Sequence, residues 1–174
     1  MSVETIKNSI RNIPDFPKIG IQFKDITTAL QNAEVLRMML DNLAAHYKNE
    51  KIDYIIGIEA RGFIFGAPLA YLLNCGFIPI RKPGKLPAEV ISEEYDLEYG
   101  SNKLEMHKDA FKAGARVLIV DDLLATAGTA EAAAKLATKL GAYICGFAFI
   151  IELSDLGGRN KLRQYAPVYS IVQY

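Results

Sequence analysis

Hydrophobic positions along this chain switch between two spacings. From Asn32 to Lys48, residues Leu36, Met39, Leu40, Leu43 and Tyr47 recur at helical intervals, and Asn32 stands where a helix cap is wanted. Tyr54 to Ile58 is a short apolar run, as a strand buried on both faces requires. The alternation then repeats. Phe63 to Leu73 predicts a helix closed at Gly76, and Phe77 to Ile80 a second strand. Arg116 to Val120 predicts a third strand, launched from a turn at Ala113-Gly114. Thr129 to Leu140 predicts a helix with Ala133, Leu136, Ala137 and Leu140 inward, Lys135 and Lys139 outward, and Gly141 as its stop. Ala142 to Ile151 and the weaker Tyr169 to Val172 complete the strands.

Apolar strands separated by helices imply an α/β fold, a mostly parallel central sheet flanked by helices. Such sheets bind ligands beyond the carboxyl ends of their strands, here just after Ile58, Ile80 and Val120. Two segments escape the alternation. Residues 1–30 precede the first α/β unit. Residues 82–108 are polar and long enough for a functional lid. Within them, 89–98 and 103–107 can form antiparallel arms joined near Gly100-Ser101.

Composition narrows the class. The 174 residues suit one domain over 1–174, and 51% hydrophobic content is enough for a real core. Formal charge is zero, so neither nucleic acid nor an anionic membrane is expected as partner. Glu4, Lys7 and Arg11 make the N-terminal stretch unlike a signal peptide. The longest apolar run, Ala142 to Ile151, is about half of a membrane span. Cys75 and Cys145 lie in apolar surroundings without a C-x-x-C spacing, as reduced thiols would. The expected location is cytoplasmic. His46 and His107 show no ligand spacing and are expected to be structural.

The chemistry concentrates in Val117 to Thr129, V-L-I-V-D-D-L-L-A-T-A-G-T. A loop of Ala, Thr and Gly lets backbone amides approach a phosphate, and the helix N-terminus behind it favours negative charge. Thr126 and Thr129 can add hydroxyl donors. Asp121 and Asp122 would repel that phosphate but suit vicinal hydroxyls. An Asp pair alone is more often a helix cap; the complete pattern describes a ribose 5-phosphate.

The same segment resembles the motif by which type I phosphoribosyltransferases bind phosphoribosyl pyrophosphate (PRPP). The resemblance implies that fold, with a small N-terminal hood over 1–30 and a mobile catalytic loop over 82–108. It implies that Asp121 and Asp122 contact the ribose hydroxyls, while Ala125, Thr126, Ala127, Gly128 and Thr129 hold the 5-phosphate. One departure stands out. The adenine branch usually has Ala-Thr-Gly-Gly-Thr, and Ala127 occupies the first glycine position. At positive φ an Ala costs about 1 kcal/mol or more. Thr-Ala-Gly-Thr is familiar from the orotate branch.

Other motifs follow the adenine branch in order. Glu59-Ala60-Arg61-Gly62 resembles its pyrophosphate loop, which carries a non-proline cis peptide that would be Glu59-Ala60 here. Arg81, Lys82 and Lys85 follow the second strand and would neutralise the same pyrophosphate, in some members across a dimer interface. Leu97-Glu98-Tyr99-Gly100 resembles the catalytic loop, whose Glu, here Glu98, serves the purine as general acid or base. Gly20 to Ile26 resembles the base-binding hood: Phe23 stacks on adenine, backbone around Gln22 and Lys24 reads its edge, and Leu123 closes the other face. The implied reaction is transfer of phosphoribose from PRPP to adenine, with Glu98 and Arg61 as catalytic residues. Mg²⁺ would come with the substrate rather than a protein cage, and a homodimer is implied. The alternatives are a phosphoribosyltransferase for orotate or a 6-oxopurine, or a non-enzymatic PRPP sensor.

Overall fold

Asn32 accepts the amide hydrogens of Glu34 and Val35 at 3.0 and 3.2 Å, so the first long helix starts where the sequence placed its cap. The computed structural model describes residues 2–96 and 101–174. Before that cap lie α1 (Val3–Ser9), β1 (Arg11–Pro14), β2 (Gln22–Asp25) and α2 (Thr27–Gln31). After it come α3 (Ala33–Tyr47), β3 (Tyr54–Ile58), α4 (Arg61–Leu73) and β4 (Gly76–Ile80). A hairpin of β5 (Val90–Asp96) and β6 (Ser101–His107) follows. The chain closes with β7 (Arg116–Leu124), α5 (Gly128–Lys139), β8 (Tyr143–Glu152), α6 (Gly158–Leu162) and β9 (Val168–Gln173).

The central sheet is parallel throughout, in the order β4-β3-β7-β8-β9. Its two faces make two cores. On one, α5 packs Ala133, Leu136 and Ala137 against Ile56, Ile119 and Phe147. On the other, Met39 and Leu43 of α3 and Phe65 and Leu69 of α4 cover Ile55, Leu118, Val120 and Ala148. Among the described residues, β1 pairs only with β2, antiparallel, and β5 only with β6. The base of the β5–β6 hairpin joins the sheet through a bridge between Arg81 and Glu105.

The structure refines one sequence expectation and corrects two. The buried face of α3 is Val35, Met38, Met39, Leu43 and Tyr47, while Leu36 and Leu40 are half-buried. α1 and α2 lie against α3 and extend its covered stripe in that direction. Gly76 does not end α4. Asn74 does, in the left-handed region at φ 53°, with the Cys75 amide closing onto the Ala70 carbonyl at 3.0 Å. Gly76 instead opens β4 beside Tyr54, where a Cβ would come within 2.6 Å of the tyrosine ring. Finally, β7 does not stop at Val120. Leu123 and Leu124 continue the ladder opposite Ile151 and Glu152, so both aspartates lie on the strand itself.

Both histidines sit in ring or backbone contacts. His46 stacks on Tyr169 at 3.7 Å between centroids, and His107 Nε2 accepts the Ala88 amide at 3.4 Å. Cys75 and Cys145 are free and half-buried. No helix among the described residues is long and apolar enough to cross a membrane.

Candidate active site

From β3 the chain passes through α4 to β4 on one side, then returns through the hairpin to β7 on the other. Strand order therefore reverses between β3 and β7, and a crevice opens beyond their carboxyl ends. Glu59, Ala60, Arg61, Lys82, Lys85, Asp121, Asp122 and Thr129 line a groove of about 400 Å³ there. A connected hollow of about 200 Å³ runs from Arg61 and Asp121 along 122–130. A larger, open depression around Asp53, Cys75 and Phe111 lies at the opposite strand ends, away from these residues.

The loop 125–127 delivers the chain into α5 with no side-chain cap, because the capping position is Ala127. The first helical turn leaves amide hydrogens without intrahelical acceptors. Ala127 has φ 70° and ψ 4°, and its methyl is buried in the α5 core. That residue therefore turns the loop without placing its side chain over the amides. Thr126, exposed, and Thr129, half-buried, line the hollow beside these amides. The hollow thus ends at the N-terminal amides of α5, the positive end of a helix, where negative charge is favoured.

Asp121 and Asp122 stand across the hollow. Asp122 is 5% exposed, and its Oδ2 accepts the Nε hydrogen of Arg61. Asp121 Oδ1 accepts the Asp122 amide at 2.9 Å. Burial first, and then the adjacent Asp122, push the Asp121 carboxyl well above the ordinary carboxylate range. Gly62 allows this crowding: a Cβ there would stand 2.7 Å from the Val120 carbonyl oxygen and 3.1 Å from Asp121 Oδ1. The glycine after Arg61 is what lets α4 abut β7.

The Glu59–Ala60 peptide is cis. The Glu59 carboxylate accepts from Arg81 Nε and Nη2 at 3.2 Å each, from Lys85 Nζ at 2.8 Å and from the Lys82 amide at 3.0 Å. Burial alone would raise its pKa; the bonds from Lys85, Arg81 and Lys82 outweigh it and hold the carboxyl at about 2. Glu59 thus gathers the cations at the rim of the groove. Arg61, Arg81 and Lys85, which the sequence assigns to an anionic ligand, pair with the carboxylates of Asp122 and Glu59.

The hood residues form a ribbon. Phe23 meets Phe16 edge-on, with centroids 5.2 Å apart. The Gln22 and Lys24 side chains both bond to Asn12, at 2.6 and 3.1 Å, and Lys24 lies over the Tyr174 ring. Both side chains are thus engaged, that of Lys24 also by the C-terminal Tyr174. Leu123, half-buried, lines the hollow beside Asp122. Glu98 and Tyr99 lie outside the described residues. Tyr95 and Asn102, cross-strand partners in the hairpin, also line the groove and were missed in the sequence. Their only signal was their place in the polar insert.

Known proteins match this arrangement. A family model described as the phosphoribosyl transferase domain matches residues 24–173. Adenine phosphoribosyltransferase of Acaryochloris marina is 57% identical over 169 residues, covering 97% of this chain and 99% of its own. The crystal structure of adenine phosphoribosyltransferase from Thermoanaerobacter pseudethanolicus superposes with a TM-score of 0.95 at 53% identity, covering 99% of this chain and 100% of its own. The Saccharomyces cerevisiae enzyme, complexed with an imino-altritol bisphosphate and adenine, superposes at 0.91 with 41% identity, covering 98% of both chains. The chain belongs to the phosphoribosyltransferase family, among its adenine phosphoribosyltransferases.

Proposed function

We propose that this chain transfers the 5-phosphoribosyl group from PRPP to adenine, giving AMP and pyrophosphate. One observation carries the reading: an uncapped helix N-terminus and a pair of aspartates face one hollow at the strand switch point. A sugar phosphate satisfies both ends at once. The amides and hydroxyls of 125–129 take the 5-phosphate, and Asp121 and Asp122 take the ribose hydroxyls.

The remaining assignments follow from position. Arg61, Lys82, Lys85 and Arg81, with the Glu59–Ala60 turn, receive pyrophosphate at the groove rim. Arrival of that anion gives Arg61 a partner other than Asp122, freeing the aspartate for the sugar. Phe23 and Leu123 sandwich adenine, and the backbone of Gln22 and Lys24 reads its edge. As pyrophosphate departs, positive charge develops on the ribose ring. Alignment of base and leaving group, and neutralisation of pyrophosphate, then lower the barrier. Glu98 handles the purine proton from a loop, shared with Tyr99, that closes and excludes water. Mg²⁺ would arrive with PRPP, and it would supply charge neutralisation of the pyrophosphate alongside Arg61, Lys82 and Lys85.

The assembly is a homodimer in this reading. Exposed Ile64, Tyr71 and Leu72 recur along one side of α4 and supply an apolar face for it. A cytoplasmic location accords with the free thiols of Cys75 and Cys145, which reducing compartments maintain. Initial rates with PRPP and adenine, hypoxanthine, guanine or orotate test the function. Adenine should react far faster than the others. Faster turnover of orotate or an oxopurine would reassign the substrate, and no pyrophosphate release with any base would leave a sensor.

A further inference from the structure

The phosphate loop is supported from behind by a segment far along the chain. β8 ends at Glu152, opposite Leu124 at the end of β7. The Leu153 amide donates to the Leu124 carbonyl at 2.9 Å. The chain then turns through Gly157, at φ 68°, into α6. There Gly158 is buried so closely against the loop that a Cβ would stand 2.1 Å from the Ala125 carbonyl oxygen and 2.9 Å from Leu124 Cδ1. Arg159 fastens α6 to the sheet. Its Nε donates to Glu152 Oε1 at 2.8 Å, its Nη2 donates to Oε2, and its Nη1 donates to the Val168 carbonyl at 2.6 Å. Beyond α6, the Tyr165 hydroxyl donates to Glu131, in the first turn of α5, at 3.3 Å.

We infer that Gly158 is a positioning residue for the PRPP phosphate, acting as the contact through which the Arg159–Glu152 clamp holds Ala125 and the amides after it in register. The inference rests on the assignment of the 5-phosphate to 125–129. The missing side chain is what brings α6 into contact with the loop. The ion pair between half-buried Arg159 and buried Glu152 fixes the distance, since a guanidinium fork held at the Glu152 carboxylate, the Val168 carbonyl and the Ser170 hydroxyl resists sliding. Any group added at Gly158 must move the Ala125 carbonyl, and the amides that follow move with it. Of the two adenine contacts, Phe23 lies on the separate β1–β2 ribbon, and Leu123, though next to Leu124, is held in the β7–β8 ladder opposite Ile151, so the base depends less on this support than the phosphate does.

Ribose 5-phosphate titrations of Gly158→Ala, followed by amide NMR and paired with steady-state kinetics, test the inference. Dissociation constants for ribose 5-phosphate and KM for PRPP should rise at least about tenfold, with KM for adenine within about twofold. Gly157→Ala is the control: it strains the same turn, but its Cβ meets nothing within 4 Å, so PRPP parameters should stay within about twofold. Equal PRPP defects in both variants, or none in Gly158→Ala, would overturn the inference. If Gly158→Ala does not fold, Arg159→Lys carries the test. It keeps the charge, loses the fork, and should weaken ribose 5-phosphate binding about threefold or more; unchanged binding would overturn the inference. Should ribose 5-phosphate leave the 126–129 amides of the unsubstituted protein unshifted, the phosphate assignment itself fails. Shifts there, with equal affinity in Gly158→Ala, would sink only the role of Gly158.

Discussion

Arg61 donates its Nε hydrogen to Oδ2 of Asp122, tying the mouth of α4 to the end of β7 across the groove. Asp122 is almost wholly buried while Arg61 is half-exposed, so the carboxylate depends on the pair more than the cation does. Arg61→Ala leaves a buried acceptor without its charged partner. Unfolding free energy should fall by about 1–3 kcal/mol. Catalytic efficiency with PRPP should drop about a hundredfold or more. Urea denaturation and steady-state kinetics check the two effects separately; an undiminished efficiency would remove Arg61 from the pyrophosphate site.

Acid stability reports on Glu59. Its folded pKa of about 2 lies below its ordinary value of 4.5, so its contribution is full above 4.5 and is lost as pH falls through about 2. Asp25, held at about 2 first by the Thr27 hydroxyl and then by Arg11, loses stability over a similar range from its ordinary 3.8. Glu59→Gln should therefore flatten, without abolishing, the decline in urea midpoint between about pH 5 and 3. An identical decline in the variant would mean that Arg81 and Lys85 do not hold Glu59 in solution.

Ala127 carries opposing effects. Its left-handed backbone costs about 1–2 kcal/mol. Burying its methyl returns about 0.8 kcal/mol. A smaller unfolded-state entropy than glycine adds about 0.4–1 kcal/mol. Ala127→Gly should therefore change stability by no more than about 1 kcal/mol and KM for PRPP by less than about threefold. Ala127→Val, β-branched at the same φ and buried, should cost more than about 2 kcal/mol. Thermal denaturation of both variants distinguishes this balance from a strict glycine requirement.

Much of the fold was legible in the sequence because the strands of the parallel sheet are continuous apolar runs and Asn32 and Gly141 mark helix ends. The loop 125–129 stood out because its small residues form an unbroken stretch between a strand and a helix, and the structure places that stretch along the hollow. What escaped depends on partners distant in sequence. Leu123 and Leu124 are strand only because β8 runs beside them. The seven-residue α1 buries just Ile6, against elements at both ends of the chain, too little for a periodic signal. Arg61 and Arg81 were read as ligand cations; their carboxylate partners lie 61 and 22 residues away and left no local trace. Gly158 was passed over because its neighbour, Ala125, belongs to another motif.

Glu98→Gln separates proton handling from binding. Turnover should fall about a hundredfold or more while the dissociation constant for PRPP stays within about threefold. Single-turnover rates beside equilibrium titration decide it, and unaltered turnover would take Glu98 out of the reaction.

A crystal grown with AMP tests the assignment of the hollow most directly. The expected density places the phosphate on the amides and hydroxyls of 125–129, the ribose hydroxyls on Asp121 and Asp122, and the base between Phe23 and Leu123. A nucleotide bound elsewhere, or a hollow left empty at saturating AMP, would contradict it.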